Sequence, residues 1–131
     1  MDPVDGVIED CFAADASVRY VAVYLDGELR MREREGLAGA STSESDRYEE
    51  LLVNPALLTL ATQRGQIDCG GLAYLLIRYG NFFTFIQPIA RGHINVGFEL
   101  DAQLDTVIEA IRQAVATWAA AEQVDRPPNH D

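Results

Sequence analysis

The sequence has 131 residues and a formal net charge of −11, from 21 acidic and 10 basic residues. A chain of this length forms a single domain around one buried core, and its 48% hydrophobic content excludes disorder over most of its length. The negative charge repels phosphate backbones and therefore excludes nucleic acid as a partner. It favours either solubility alone or attraction to a basic protein surface.

The cysteines and the first residues predict where the protein works. Cys11 and Cys69 lie in apolar segments without the spacing of a metal site, so we expect two buried free thiols in a reducing compartment. The N-terminus is acidic and lacks the basic start and apolar run of a signal peptide. No apolar run is long enough to cross a bilayer. These features predict a cytoplasmic protein with no membrane span.

The beginning of the chain predicts a helix and a β-hairpin. Apolar residues recur at helical spacing over residues 4–12. A strand over residues 19–25 and an Asp-Gly turn at 26–27 then predict a hairpin whose second strand covers 28–34. That second strand is charged at most positions, which suits an exposed sheet edge because charge discourages pairing with another chain.

The middle of the chain predicts a linker followed by an interrupted helix. Residues 36–45 are small and polar and lack the pattern of a phosphate-binding loop, so they predict a flexible loop. A helix should follow from Asp46 to about Gln63, broken where Asn54 caps a second segment that starts at Pro55. Its apolar positions cover more than one face, so this helix needs a packing partner besides its own sheet.

Three consecutive strands should form the centre of the fold, because β-branched and aromatic residues crowd this stretch and glycines separate its parts. The first strand starts at Leu72 and ends at Arg78, the second covers residues 82–86, and the third covers 93–100. The first two are apolar on both faces. In the third, polar and apolar residues alternate, which predicts that His93 and Asn95 point outward.

The end of the chain predicts one long helix and a tail. Asp101 caps a helix whose apolar residues recur regularly from Leu104 to Trp118. Polar residues and prolines dominate from Glu122 onward. We therefore assign a single α+β domain to residues 1–121 and a flexible polar tail to residues 122–131.

The sequence contains no constellation that predicts catalysis, a cofactor or a metal. No signature ties Cys69 to a base such as His93, so we expect a structural thiol and an exposed polar side chain, respectively. Arg78, at the end of a strand, is expected to be a solvated charge rather than an anion ligand. We predict no catalytic, cofactor-binding or metal-binding residue, and no enzyme.

The order of the elements predicts a five-stranded antiparallel sheet, with the first and last helices on one face and the middle helix on the other. This order resembles the roadblock family of dynein light chains and their bacterial relatives, within the wider profilin-like and longin-like class. The matching features are the hairpin with its Asp26-Gly27 turn, the middle helix, and the three strands with the last helix. The resemblance implies a homodimer that pairs with small Ras-like GTPases.

A dimer is also indicated by the strand from Leu72 to Arg78, which would leave an uncharged, apolar sheet edge uncovered in a monomer. In the roadblock family this strand pairs with its symmetry mate and the two middle helices pack together, so the resemblance implies an isologous dimer through both elements. We predict a non-enzymatic dimeric adaptor or regulatory scaffold that acts on a small GTPase or another signalling protein.

The alternative is a small-molecule sensor of PAS-like or GAF-like type, which would share an antiparallel sheet covered by helices. Its pocket would need aromatic lining residues. The candidates are Tyr24, Tyr74, Phe83 and Phe85.

Overall fold

The computed structural model describes residues 3–37 and 42–122. Residues 38–41 of the expected loop, and the expected tail apart from Glu122, lie outside the described residues. The strands are β1 (Val18–Leu25), β2 (Glu28–Glu33), β3 (Leu75–Arg78), β4 (Phe83–Ile89) and β5 (Gly92–Phe98). The helices are α1 (Pro3–Ala14), α2 (Ser43–Tyr48), a π-helical turn (Glu49–Val53), α3 (Asn54–Asp68) and α4 (Leu104–Glu122). We call the run from α2 to α3 the middle helix.

The five strands form one antiparallel sheet in the order β2-β1-β5-β4-β3. Helices α1 and α4 cover one face, and the middle helix covers the other. This arrangement confirms the α+β fold class predicted from the element order. No helix among residues 3–37 and 42–122 is long and apolar enough to cross a membrane.

The main apolar core lies between the sheet and the α1–α4 layer. Alternate residues of the inner strands point into it, and each amphipathic helix contributes its apolar stripe, as the helical spacing predicts. Its fully buried members include Val7, Cys11, Val21, Phe85, Ile94, Val96, Phe98, Val107, Ile111 and Val115.

The turn between β1 and β2 confirms the hairpin that the Asp-Gly pair predicts. Leu25 pairs with Glu28, and the two residues between them both have positive φ, 54° at Asp26 and 82° at Gly27. Positive φ at both positions matches the right-handed twist of the flanking strands. The turn therefore fixes the register of β2, whose charged outer edge carries no further strand.

The expected break at Asn54 and Pro55 is wrong. Asn54 has helical dihedral angles (φ −65°, ψ −43°), and its backbone N–H donates to the Glu49 carbonyl oxygen. This wider π-helical hydrogen bond opens the turn just before Pro55, which has no N–H of its own to donate. The helix therefore continues through the proline, and the Asn54 side chain is free for another use.

The strand expected from Leu72 to Arg78 is shorter than predicted, because β3 begins at Leu75. Its register sets Leu75 opposite Ile86, so an extension would bring Ala73 opposite Pro88. Proline cannot donate to a ladder, and Gly70 and Gly71, both with positive φ, turn the chain out of α3 just before this point. Only the second half of the predicted strand pairs with β4.

Gly92 provides a test of the sheet packing. A Cβ atom at this position would overlap the carbonyl oxygen of Tyr24 on the neighbouring strand β1. We expect Gly92→Ala to lower the free energy of unfolding by about 3 kcal/mol, because backbone atoms cannot move aside as a flexible side chain can. Urea unfolding followed by circular dichroism measures the loss.

Gly80→Ala is the matched control, since a Cβ there meets no atom within 4 Å. We expect it to change stability by less than about 0.5 kcal/mol. Equal stability of the two variants would contradict the close approach of β1 and β5 at Gly92.

Candidate functional site

The middle helix exposes a stripe of large apolar side chains. Tyr48 is 60% exposed, Leu52 59%, Leu60 66% and Ile67 75%. They recur at intervals of one or two helical turns, so they share one side of the helix. Single exposed apolar residues are common on protein surfaces, but a contiguous stripe of them marks an interaction site.

Strand β3 lies at the edge of the sheet, as the sequence predicts, because it pairs only with β4. Its residue Leu76 is 39% exposed. The opposite edge, β2, alternates charged side chains with Leu29 and Met31. The two edges therefore differ as expected, and only β3 combines unpaired backbone groups with an exposed apolar residue.

The middle helix runs alongside β3, in the opposite direction. At one end, the Tyr79 hydroxyl donates to Glu49 Oε2 at 2.9 Å. At the other end, the Gly71 N–H donates to the Gly65 carbonyl oxygen at 3.0 Å. Burial, together with the hydrogen bond to Glu49, raises the pKa of Tyr79 to about 12, so this tether is intact at neutral pH.

The middle helix therefore lies beside the edge strand, and Leu76 points to the other face of that strand, because it pairs with the core residue Phe85. We use the name helix–edge surface for the exposed stripe of the middle helix (Tyr48, Leu52, Leu60 and Ile67) together with the unpaired edge of β3, which exposes Leu76. Helix α3 leads into this edge through Gly65, where an added Cβ would come within 3.0 Å of the Gly71 carbonyl carbon. A glycine at this position allows the chain to fold back closely enough for helix and strand to lie side by side.

Beneath the same helix lies a carboxylate that is completely buried. Glu50, in the π-helical turn, is 0% exposed. Its Oε1 accepts from Asn54 Nδ2 at 3.0 Å and bonds His93 Nε2 at 2.7 Å. Its Oε2 accepts from Asn95 Nδ2 at 2.6 Å and from the Tyr20 hydroxyl at 3.0 Å. Both oxygens are thus satisfied by donors from the helix itself, from β1 and from β5.

The side chains that bond this carboxylate are themselves positioned by their surroundings. The Thr84 hydroxyl, on β4, donates to Asn95 Oδ1, which orients the amide so that its N–H groups face Glu50. His93 Nε2 and Glu50 Oε1 are held together by one hydrogen bond at 2.7 Å. Burial, reinforced by the charge of Glu50, raises the pKa of Tyr20 far above its ordinary value, which keeps its hydroxyl a donor.

The exposed positions predicted for His93 and Asn95 are wrong. Both point away from the main core, as the alternation of β5 predicts, but they are 2% and 0% exposed because the middle helix covers them. The sequence analysis missed Glu50 for the same reason. The available signal was the spacing of Glu50 and Asn54, one helical turn apart on the sheet side of a helix that is apolar on several faces.

The two cysteines and Arg78 lie in different environments. Cys11 is buried and free, as expected, and burial raises the pKa of its thiol to about 12. Cys69 is free but exposed, which contradicts the expected burial: it caps the C-terminus of α3 beside two turn glycines. Its thiol donates to Asp68 at 3.4 Å, and not to the buried His93. Arg78 is exposed, as predicted for a solvated charge.

The aromatic residues proposed for a sensor pocket do not converge. Phe85 is fully buried and packs against Tyr74 and Phe98, with ring centroids 5.0 and 6.3 Å apart. Tyr24 instead lies on the opposite face of the sheet, beside His93. Tyr74, Phe83 and Phe85 thus pack on the α1–α4 side of the sheet and Tyr24 lies on the other side, so the four side chains do not line one space.

The geometry of the buried cluster suits a positioning role. Among the residues that the structure describes, no group of three or more histidine, cysteine, aspartate or glutamate side chains could hold a metal ion. The hydrogen bonds of Glu50 instead tie the middle helix to two strands, with Leu58 packed below it on the same side of the helix. This attachment turns Leu60 and Ile67 toward solvent.

Comparison with known proteins identifies the fold. No protein-family model matches the sequence, and neither does any curated protein. MglB, in a structure with a tetrameric arrangement, matches 94% of this chain and 93% of its own, with a TM-score of 0.72 and 11% identity. A roadblock/LC7 domain from Streptomyces avermitilis matches 92% and 98%, with a TM-score of 0.69 and 11% identity. The gliding protein MglB from Thermus thermophilus matches 93% and 90%, with a TM-score of 0.67 and 14% identity.

These likenesses confirm the resemblance inferred from the element order. The chain has a roadblock/LC7-type fold. At 11–14% identity, shared architecture carries no information about partners or activity, which must be argued from the surfaces of this chain.

The buried carboxylate can be tested by removing it. Glu50→Ala would leave the buried side chains of Tyr20, Asn54, His93 and Asn95 without their shared partner, so we expect a loss of about 3–5 kcal/mol in the free energy of unfolding. Urea denaturation measures it. Glu109→Ala, on the exposed side of α4 where the carboxylate accepts only from Gln113, is the control and should cost less than about 1 kcal/mol. Similar losses in both variants would show that Glu50 does not hold the helix.

Proposed function

We propose that the protein is a homodimeric, non-enzymatic adaptor that regulates a small Ras-like GTPase or a related signalling protein. The single observation that carries the proposal is the helix–edge surface. The edge strand exposes Leu76, and the helix beside it exposes five large apolar residues. Leaving these side chains in water is unfavourable unless a partner covers them.

A second copy of the chain is the occupant that fits this surface best. An edge strand presents unpaired N–H and C=O groups in a regular row, and an identical strand related by a two-fold axis satisfies them in antiparallel register. The same axis brings the two exposed helical stripes together, so strand pairing and helix packing occur in one isologous interface. The tetrameric arrangement of the MglB structure supports self-association in a chain of this fold.

The regulatory role rests on the resemblance to the roadblock family, whose bacterial members pair with small Ras-like GTPases. The position of the buried cluster supports a binding role over a catalytic one, because Glu50 and the side chains bonded to it lie beneath a helix rather than in a cleft. A dimer would offer its partner a continuous ten-stranded sheet with two paired helices on one side. We place the protein in the cytoplasm on the sequence features given above.

The dimer interface is tested most directly at Leu76. A charge in the middle of the joining strand would be buried without a partner, so Leu76→Arg should produce a monomer or weaken dimerisation at least a hundredfold. Analytical ultracentrifugation across a concentration series measures the change. Leu100→Arg is the matched control, because Leu100 is also 39% exposed but lies beyond β5, outside the helix–edge surface. A Leu76→Arg protein that remains a dimer would refute this interface.

The regulatory part requires its own experiment. We expect the protein to retain Ras-like GTPases of its source organism in one nucleotide state, when they are loaded either with GDP or with a non-hydrolysable GTP analogue. Leu76→Arg should weaken that binding at least tenfold, while Leu100→Arg should leave it unchanged. Isothermal titration calorimetry measures both. A stable dimer that binds no such GTPase in either state would overturn the regulatory proposal and leave the dimer standing.

A further inference from the structure

A cavity of about 270 Å³ opens between the sheet and the ends of helices α1 and α4. It lies beside β1 and β2, whereas the helix–edge surface lies at β3, three strand positions away from β1 in the sheet. Its apolar lining comes from Val4, Val23, Leu25 and Trp118. We call it the end cavity. The proposed dimer interface does not use it.

Trp118 lines the end cavity and is the only tryptophan of the chain. Trp118 is 8% exposed, and its indole N–H has no hydrogen-bond acceptor among the residues that the structure describes. A buried indole N–H usually finds an acceptor, because leaving it unpaired costs about 1–3 kcal/mol. The Trp118 side chain therefore contributes an apolar wall to the cavity, while its buried N–H is not reached from the cavity.

The rim of the cavity carries three carboxylates and two arginines, and each arginine is held in an ion pair. Arg91 pairs with Asp26 at 3.5 Å, and Arg30 pairs with Asp5 at 3.3 Å. Glu28 and Glu122 also line the cavity, and among the described residues neither makes an ion pair. Two exposed carboxylates therefore remain at the mouth of an apolar cavity, in a chain whose overall charge is −11.

The size of the cavity narrows the class of occupant. Small-molecule pockets usually measure roughly 300–1,000 Å³ and enclose most of the ligand, whereas this cavity is smaller and open on one side. A single apolar side chain on an extended segment fits such a space. The residues that flank this side chain in the segment reach the rim.

We propose that the end cavity docks a basic peptide segment of another protein, which inserts one apolar side chain beside Trp118 and sets lysine or arginine residues against Glu28 and Glu122. The apolar anchor supplies most of the affinity by burial. The charges select the partner and speed its approach, because the whole chain attracts a basic segment at low salt. This surface goes beyond the proposed adaptor role and does not require it.

The test uses the single tryptophan of the chain as its reporter. The probe is an acetylated and amidated seven-residue peptide with a central leucine, flanked on each side by one alanine and two lysines. We expect a saturable change in Trp118 fluorescence when this peptide is added to the full-length protein in low salt. Replacing the leucine of the peptide by serine, or its four lysines by glutamines, should each weaken binding at least tenfold.

Two double variants distinguish the contribution of the rim carboxylates to peptide binding from that of the protein's overall charge. Glu28→Gln combined with Glu122→Gln should weaken binding about tenfold, whereas Glu44→Gln combined with Glu109→Gln removes the same charge from exposed sites elsewhere and should change it less than twofold. Equal effects of the two pairs would overturn the proposal, because they would reduce it to non-specific attraction. The absence of any saturable fluorescence change would also overturn it.

The remaining possible occupant is the chain itself, since residues 123–131 follow Glu122 directly and carry the apolar Val124 and the basic Arg126. Val124→Asp in the full-length protein distinguishes the two. If Trp118 emission and peptide affinity are unchanged, the cavity serves another protein, as proposed. If the substitution alone shifts the emission and peptide affinity rises, the cavity holds the chain's own segment, and the proposal is wrong.

Discussion

The carboxylate of Glu50 has no contact with water, and the whole middle-helix face of the protein depends on how it is satisfied. Moving an ionised carboxylate out of water costs several kcal/mol even after the protein relaxes. Four hydrogen bonds offset that cost here, and their partners come from three different elements. A rotation of the helix by one residue, or a slide along the sheet, would break most of these bonds at once. The cluster therefore selects one placement of the helix among several that apolar contacts alone would tolerate.

That placement requires an irregular helix. The π-helical turn positions Glu50 and Asn54 so that the amide of one reaches the carboxylate of the other at 3.0 Å, and it opens the backbone just where Pro55 would otherwise clash. A wider turn costs hydrogen-bond geometry and is usually found where function or packing requires it. Here the π-helical turn is required by packing, because it sets the rotation of the helix that follows. Leu58 then faces the sheet and Leu60 faces solvent. The buried cluster therefore determines which side chains are exposed to a partner.

Local patterns made the architecture predictable, and contacts between distant elements made the rest unpredictable. The hairpin turn, the periodicity of α1 and α4 and the edge position of β3 depend on residues close together in the chain, and the structure confirms them. The polar side of β5 has the same alternating pattern whether it faces water or a helix with matching polar groups. The hydrogen-bond partner of His93 is Glu50, 43 residues earlier, and no periodicity joins positions so far apart. Likewise the chain is apolar from Leu72, but β3 begins only at Leu75, because Pro88 on β4 cannot pair with a longer strand. Cys69 is exposed because α3 ends there, whether or not the residues around it in the sequence are apolar.

The strand order separates the two surfaces argued above and allows both to act in one assembly. The helix–edge surface is at β3, while the end cavity is beside β1 and β2, on the face that α1 and α4 cover. A dimer joined through β3 would therefore keep two end cavities open at its outer ends, related by the same two-fold axis. A partner that carries two basic segments, or two copies of one partner, could engage both at once, and the second contact would form at the effective concentration set by the first. An adaptor built in this way gains affinity from its symmetry, so each cavity can be shallow and individually weak.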